Sequence, residues 1–338
     1  MSSLSTRFYT LPRINTLSRF AAIKAEIRPF RYYRYPRNIF LTTRKMASIP
    51  TIKLNHGGVE IPVIGYGLGT AHFKRAGDVA LNPAIITATQ TALSSGFTHL
   101  DGAEVYGNET ELGVAISSAS PPVPRSSLFI TTKIYSAISS PSEALAVSLK
   151  KLQVDYVDLY LLHAPFWDEK EKGITIEEAW KELEGLQEKG LVKAIGVSNF
   201  LVEHLERIRK VAKIQPAVNQ IEYHPYLQNP ELKAYHKQHN IVTAVYGPLI
   251  PITKAAPGPL DSVIQELEKK YNKSATQILL RWTIDDGNVA ITTSSKEWRI
   301  KEALEVAGFK LDEEDVEKIR IVGKEKRHRV FWTKEIQD

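Results

Sequence analysis

Four polar residues in the first half of the chain are placed so that they could do chemistry together. The apolar run Thr98-His99-Leu100 ends in Asp101, Leu128-Phe129-Ile130-Thr131-Thr132 ends in Lys133, and Tyr156-Val157-Asp158-Leu159-Tyr160-Leu161-Leu162 ends in His163. Tyr106 follows Asp101 by five residues, just before Gly107-Asn108-Glu109 opens a helical pattern. If the three runs are neighbouring parallel strands, all four side chains reach one rim. A phenol is a weak acid, with an unperturbed pKa of about 10. A nearby ammonium favours the phenolate, so Lys133 would lower that pKa and let Tyr106 hand its proton to a carbonyl oxygen becoming an alkoxide. Asp101 would keep Lys133 charged, and His163 could point an N–H at the same oxygen. The hydride must come from elsewhere, because no side chain carries one; a nicotinamide cofactor would have to bring it. Singly, each residue has an ordinary reading: a strand-end or capping aspartate, a half-buried loop tyrosine, a solvated lysine, a satisfied buried histidine. As a set they are mutually compatible, which independent accidents rarely produce.

The stretch Leu100-Asp101-Gly102-Ala103-Glu104-Val105-Tyr106-Gly107-Asn108-Glu109 resembles the first signature of the aldo-keto reductases, and Asp101, Tyr106, Lys133 and His163 match that family's catalytic tetrad. Asp-Gly-Ala-Glu in place of the commoner Asp-Thr-Ala is similar to the branch of conjugated-polyketone, ketopantoyl-lactone and α-keto amide reductases. The resemblance spans residues 51 to 329. It implies an α/β fold, a (β/α)8 TIM barrel with an N-terminal β-hairpin plugging its bottom, and NADPH-dependent reduction of a small-molecule carbonyl substrate. A non-catalytic regulatory subunit of potassium channels, built on the same barrel, is the alternative the resemblance leaves; the intact tetrad disfavours it. Relatives are often monomers, and the same is expected here.

Later strand ends carry what a nicotinamide needs. Gly196-Val197-Ser198-Asn199-Phe200 and Val218-Asn219-Gln220 put a hydroxyl and two amides on consecutive strand termini, matching the donors and acceptor of a carboxamide. The resemblance implies that Ser198, Asn199 and Gln220 bind that group; Ser198-Asn199 could equally cap a helix over residues 201–211. Tyr246, in Val245-Tyr246-Gly247-Pro248-Leu249, matches the ring that stacks on the nicotinamide, with Gly247 and Leu249 in the same cofactor-binding segment. In Ile291-Thr292-Thr293-Ser294-Ser295-Lys296-Glu297-Trp298-Arg299, Thr293 replaces the lysine common in NADP-using relatives. Ser294, Lys296 and Arg299 still offer cations and helix-start donors to a 2′-phosphate, which favours NADPH/NADP+ over NADH. Glu302 matches a position facing the adenine, and Ala303 replaces the usual asparagine. On the substrate side His163 would face the carbonyl oxygen; the loop Ala164-Pro165-Phe166-Trp167-Asp168 offers Trp167 and the tail Arg329-Val330-Phe331-Trp332 two more aromatics, which could wall an apolar pocket or be ordinary packing. Small activated carbonyls are expected: α-dicarbonyls, ketolactones, α-keto amides and esters.

Composition sets the outer bounds. The 338 residues contain 43% hydrophobic and 24% charged positions, ample for one large core, and the lack of cysteine removes disulfides and thiolate metal sites. No metal is expected. No apolar run approaches the ~20 residues of a membrane-crossing helix, so no membrane role is expected. Residues 1–45 hold eight Arg and two Lys against Glu26 alone, a balance of +9, so the net charge of +6 leaves 6 − 9 = −3 for the remainder. A nucleic-acid surface is therefore not a property of the remainder. The leader is Arg-rich and nearly acid-free, the composition of a mitochondrial transit segment; the matrix is the expected location if it acts as one, the cytoplasm otherwise. Met46-Ala47-Ser48-Ile49-Pro50 would also make an ordinary amino terminus for a barrel spanning residues 46–338.

The elements that must position these groups are legible as alternating patterns. Residues 51–54 and 59–61, joined by Asn55-His56-Gly57-Gly58, read as a hairpin. Gly65-Tyr66-Gly67-Leu68-Gly69 imitates a dinucleotide fingerprint with the wrong spacing, GxGxG instead of GxGxxG; these glycines are expected to let the backbone approach a ligand. With Leu68 and Gly69 where relatives carry threonine and an aromatic, that wall is expected to be open. Asn82-Pro83 and Gly96 bracket one helix, and Ser140-Pro141-Ser142-Glu143 and Thr175-Ile176-Glu177-Glu178 read as capping boxes for two more. Strands ending near Asp101, Lys133, His163, Ser198, Glu222, Gly247 and Thr292, with one over residues 63–67, make eight, which argues for a closed barrel.

Overall fold

The computed structural model describes residues 49–75 and 77–337; the basic leader read over residues 1–45 lies outside them. Ten strands are present among the described residues: β1 Thr51–Lys53, β2 Glu60–Pro62, β3 Ile64–Gly67, β4 His99–Asp101, β5 Phe129–Ile134, β6 Val157–Leu162, β7 Val192–Ser198, β8 Val218–Glu222, β9 Val242–Tyr246 and β10 Val289–Thr292. β3 to β10 close into a parallel barrel, with the seam made by Ala290 against Ile64 and Thr292 against Tyr66. Parallel neighbours require a crossover, and helices such as Pro83–Ser95, Pro141–Leu152 and Ile176–Glu188 supply it. β1 and β2 pair antiparallel with Ile52 opposite Ile61, their turn carrying Gly57 and Gly58 at φ 71° and 65°, where an L side chain is disfavoured. Leu54 and Ile61 join Phe129, Leu159, Leu161, Val218, Val289 and Ile291 in one buried cluster, so the hairpin plugs the barrel.

Side chains alternate along each strand between the barrel interior and the helical layer, because a strand repeats every two residues. In β5, Phe129 belongs to the interior cluster while Ile130 and Ile134 belong to the cluster shared with the helices. In β6, Leu159 and Leu161 face inward and Tyr160 and Leu162 outward. Continuing the inward parity one step past each apolar layer reaches Asp101, Lys133, His163, Ser198, Gln220, Tyr246 and Thr293. The same alternation that fills the core thus aims the candidate site residues at the mouth.

The helix signals hold, with one exception. The Asn82 side chain accepts from Ala84 N at 3.0 Å, and Gly96 stops that helix at φ 108°. Thr175 and Glu178 form their reciprocal capping box, which sets Ile176, Ala179, Trp180, Leu183 and Leu186 into the core. Ser140 stands at the N-cap position but its side chain makes no cap bond. Pro141 already fixes the helical φ there and has no N–H to satisfy, so the helix starts without the box. The glycine reading is corrected in part: a Cβ on Gly65 would lie 2.7 Å from His99 Nδ1 and 2.8 Å from Ile291 Cδ1, so that glycine makes room for neighbours inside the barrel and not for a ligand.

Candidate active site

The four expected side chains converge. Lys133, with no exposed side-chain surface, donates to Asp101 Oδ1 at 2.7 Å, to Gly102 O at 2.8 Å and to the Tyr106 hydroxyl oxygen at 3.2 Å. Gln220, from β8 on the far side, donates to Asp101 Oδ2 at 2.7 Å. The His163 ring meets the Tyr106 ring edge-on at 5.6 Å. An ammonium has donors only, so the phenol oxygen accepts from Lys133 and keeps its own proton free to be given away. Asp101, Tyr106, His163 and Gln220 line a cavity of about 600 Å³, together with Gly67, Gly69, Phe73, Tyr135, Asn199, Tyr246, Phe331 and Trp332.

Local structure fixes the turn that carries Tyr106. Asn108, fully buried, donates to Leu68 O and His72 O at 2.8 Å each. Lys74 N donates to Tyr106 O at 3.0 Å, and the buried pair of Lys74 with Glu111 at 2.7 Å anchors the far end of the same loop. Glu104 accepts from Tyr135 N and Ala137 N at 3.1 Å each, tying the loop after β5 to this turn. Gly69 lets the ring sit close: a Cβ there would be 3.0 Å from Tyr106 Cζ.

The electrostatics favour a protonated acid. Burial pushes the Tyr106 hydroxyl above its ordinary pKa; the Lys133 ammonium pulls it down without reversing the shift. The expected net lowering is therefore not what this enclosure gives: at neutral pH the phenol holds its proton. Burial works against the charge on Lys133, but Asp101 and then Tyr106 outweigh it and leave the ammonium above its ordinary pKa. Burial first, and the Lys133 charge second, hold His163 well below the usual histidine range, so its imidazole is neutral.

The other expected site residues fall into three groups. Asn199, Gln220, Tyr246, Gly247 and Leu249 line the cavity. Asn199 donates to His163 O at 2.9 Å and accepts from the Tyr246 hydroxyl at 2.6 Å. Leu201, not Ser198 or Asn199, occupies the N-cap position of helix Val202–Arg209, so neither residue caps that helix. Ser198 lies behind the lining, donating to Gln220 O at 2.7 Å. Ser294, Lys296, Arg299 and Glu302 are not brought into the cavity wall but stand beside it, on the turn and helix Glu297–Leu304 that follow the lining residues Thr292 and Thr293. Ser294 Oγ accepts from Lys296 N at 3.0 Å, its carbonyl accepts from the Tyr66 hydroxyl at 2.7 Å, and Lys296 and Arg299 are exposed. Glu302 uses its carbonyl to hold Gln277 at 3.1 Å.

Trp167 is a correction. Its indole N–H donates to Ile174 O at 2.9 Å and its ring packs on the core, so it braces its own loop and does not line the cavity. The aromatic wall comes from Tyr135, Phe73, Phe331 and Trp332. Tyr135 had a signal, since it continues the inward parity of Lys133 by two residues; Phe73, in an irregular loop, had none.

Comparison with known proteins agrees with this geometry. The sequence profile of the Aldo/keto reductase family matches residues 66–324. The chain is 45% identical to the NAD/NADP-dependent indole-3-acetaldehyde reductase of Schizosaccharomyces pombe, an alignment covering 81% of this chain and 96% of that protein. It is 41% identical to the NADPH-dependent alpha-keto amide reductase of Saccharomyces cerevisiae, over 83% and 93% of the two chains. The crystal structure of a Bombyx mori aldo-keto reductase in complex with NADP superposes with a TM-score of 0.77 at 31% identity, covering 85% of this chain and 97% of that one.

The buried neutral histidines set a pH limit. Burial also lowers His99 to about 4 and His236 to about 3, so with His163 three rings stay neutral in the fold. The unfolded chain protonates each below its ordinary pKa of about 6.5, so their contribution is complete above that pH and is lost on acidification towards the folded values. Urea unfolding at pH 7.5 and 5.5 should show stability falling by about 1.4 kcal/mol per pH unit for each such histidine once the unfolded state is protonated. Equal stability at the two pH values would mean that the rings are charged in the fold.

Proposed function

The chain belongs to the aldo/keto reductase family, and on that premise we propose that it reduces small activated carbonyls with NADPH, using Tyr106 as proton donor. The observation that carries this is the Lys133 ammonium bonded to the phenol oxygen while its counter-ion, Asp101, is held in turn by Gln220. The cavity suits a flat ring bearing an amide: Asn199 and Gln220 offer amides, Tyr246 a ring face, and Thr293 a buried hydroxyl that lacks a partner in the fold. A nicotinamide held by these residues would supply the hydride. Tyr106 then gives its proton to the substrate oxygen, Lys133 stabilises the phenolate left behind, and neutral His163 donates an N–H to that oxygen. Asp101 keeps Lys133 charged throughout, and the Tyr106 phenolate regains its proton from solvent before the next turnover. The α-keto amide reductase among the relatives, the branch resemblance and the aromatic mouth support α-dicarbonyls and α-keto amides or esters as the substrate class.

Tyr106→Phe is expected to bind NADPH as the parent does, followed by fluorescence titration, and to lose about 10²–10⁴-fold in turnover measured at 340 nm. A fully active variant would falsify the assignment of the acid. Neutralising Lys296 or Arg299 should raise the dissociation constant for NADPH far more than that for NADH, since only the former has the 2′-phosphate these cations would pair with. Equal effects on both cofactors would remove the phosphate-binding role. From its composition, residues 1–45 are proposed to direct the chain to the mitochondrial matrix; a full-length fluorescent fusion that stays cytosolic would reject that.

A further inference from the structure

Glu222 is the last residue of β8, one inward step beyond Gln220, at the end of the barrel where acidic side chains ordinarily serve chemistry. It does not line the cavity. Its carboxylate, with no exposed surface, instead accepts two consecutive backbone N–H groups from the C-terminal tail: Val330 at 2.8 Å on Oε1 and Phe331 at 2.9 Å on Oε2. The equally buried His224 stands 3.4 Å from Oε1. The tail so held presents Phe331 and Trp332 to the cavity. Phe331 meets the Tyr246 ring edge-on at 5.4 Å, and Trp332 meets the Tyr135 ring at 5.8 Å. Trp332 adopts φ 57°, a left-handed conformation that a free tail would leave. A tail without secondary structure of its own is thus held at Val330 and Phe331 by a buried carboxylate that receives its backbone.

We propose that Glu222 is a positioning residue for substrate selection: its carboxylate clasps the tail so that Phe331 and Trp332 form the wall against which the apolar part of a substrate packs. The proposal rests on the carbonyl-reductase reading only for its kinetic consequence. Glu222 touches none of the four tetrad side chains, and its contacts with the cofactor segment, the strand pairing with Tyr246 and its Cγ beside Gly247, are kept in Glu222→Gln, so loosening the clasp changes the fit of bulky substrates and leaves the proton-donor geometry in place.

Methylglyoxal and phenylglyoxal test it, because they share an α-dicarbonyl and differ in an aryl group that reaches the wall. In Glu222→Gln one accepting oxygen becomes an amide that faces an N–H. The KM for phenylglyoxal should rise about tenfold, the loss expected when an aromatic contact is released, while kcat for both substrates and the KM for methylglyoxal stay within twofold. Hydrogen exchange at the Val330 and Phe331 amides should quicken in the same variant, a readout independent of turnover. In a Phe331→Ala/Trp332→Ala background Glu222→Gln should add nothing to the phenylglyoxal KM, since the two changes act through one element. Val330→Pro deletes one donor from the tail side without touching the buried carboxylate, and should reproduce the selective effect even if Glu222→Gln folds poorly. Equal losses on both substrates, unchanged exchange, or additive effects in the alanine background would overturn the proposal. If the parent enzyme reduced neither dicarbonyl, the reductase reading would fail, while the exchange measurement would still judge the clasp.

Discussion

The ion pair between Lys133 and Asp101 is the constraint on which the mouth of the barrel depends. Both groups are buried, and neither could stay charged alone in that environment. The pair is tolerable because every strong hydrogen-bonding direction is used: Lys133 reaches Asp101, Gly102 O and Tyr106, and the second oxygen of Asp101 receives Gln220 from across the barrel. Removing one partner of such a pair typically costs about 3–5 kcal/mol, because the other is left as an uncompensated buried charge. The pair therefore ties β4, β5 and β8 to each other by the same bonds that set the charge beside the phenol. Stability and acidity are not separable at this point.

Burial decides the sign of the acid's behaviour. A cation 3.2 Å from a phenol oxygen would, in an open cleft, make the phenol more acidic. In this enclosure the cost of a buried phenolate outweighs that attraction, and Tyr106 rests in its protonated form. This suits a donor: the proton is present at rest, and Lys133 is in place to stabilise the anion after the proton has gone. His163 follows the same logic, since burial keeps it neutral beside a permanent cation and so able to donate without adding a second charge.

Much of this was legible in the sequence because strands obey a strict parity. Asp101, Lys133 and His163 follow apolar runs whose alternation fixes which face they share, and the closed order of β3 to β10 follows from counting those runs. Ser198-Asn199 stayed ambiguous because a hydroxyl and an amide suit a helix cap as well as a binding site; the fold places the N-cap position at Leu201, which rules out only the cap. Trp167 was misplaced because an aromatic in a loop carries no parity and its direction depends on which carbonyl its N–H finds, here Ile174 O. Glu222 was read only as the end of a strand, since its partners are backbone amides about 108 positions away, and amides leave no mark in a sequence.

The seam between β3 and β10 joins Ile64 to Ala290, the first and last staves of the cylinder. Until residue 292 has left the ribosome, the nascent chain can form only an open parallel sheet with two bare edges, each a template for another polypeptide. Pairings this distant in sequence also form slowly, because the entropy of closing the intervening chain is lost before any contact rewards it. Newly made chains therefore spend an appreciable interval exposed to association, which makes chaperone supply and synthesis temperature, more than the final stability of the cylinder, the natural determinants of soluble yield.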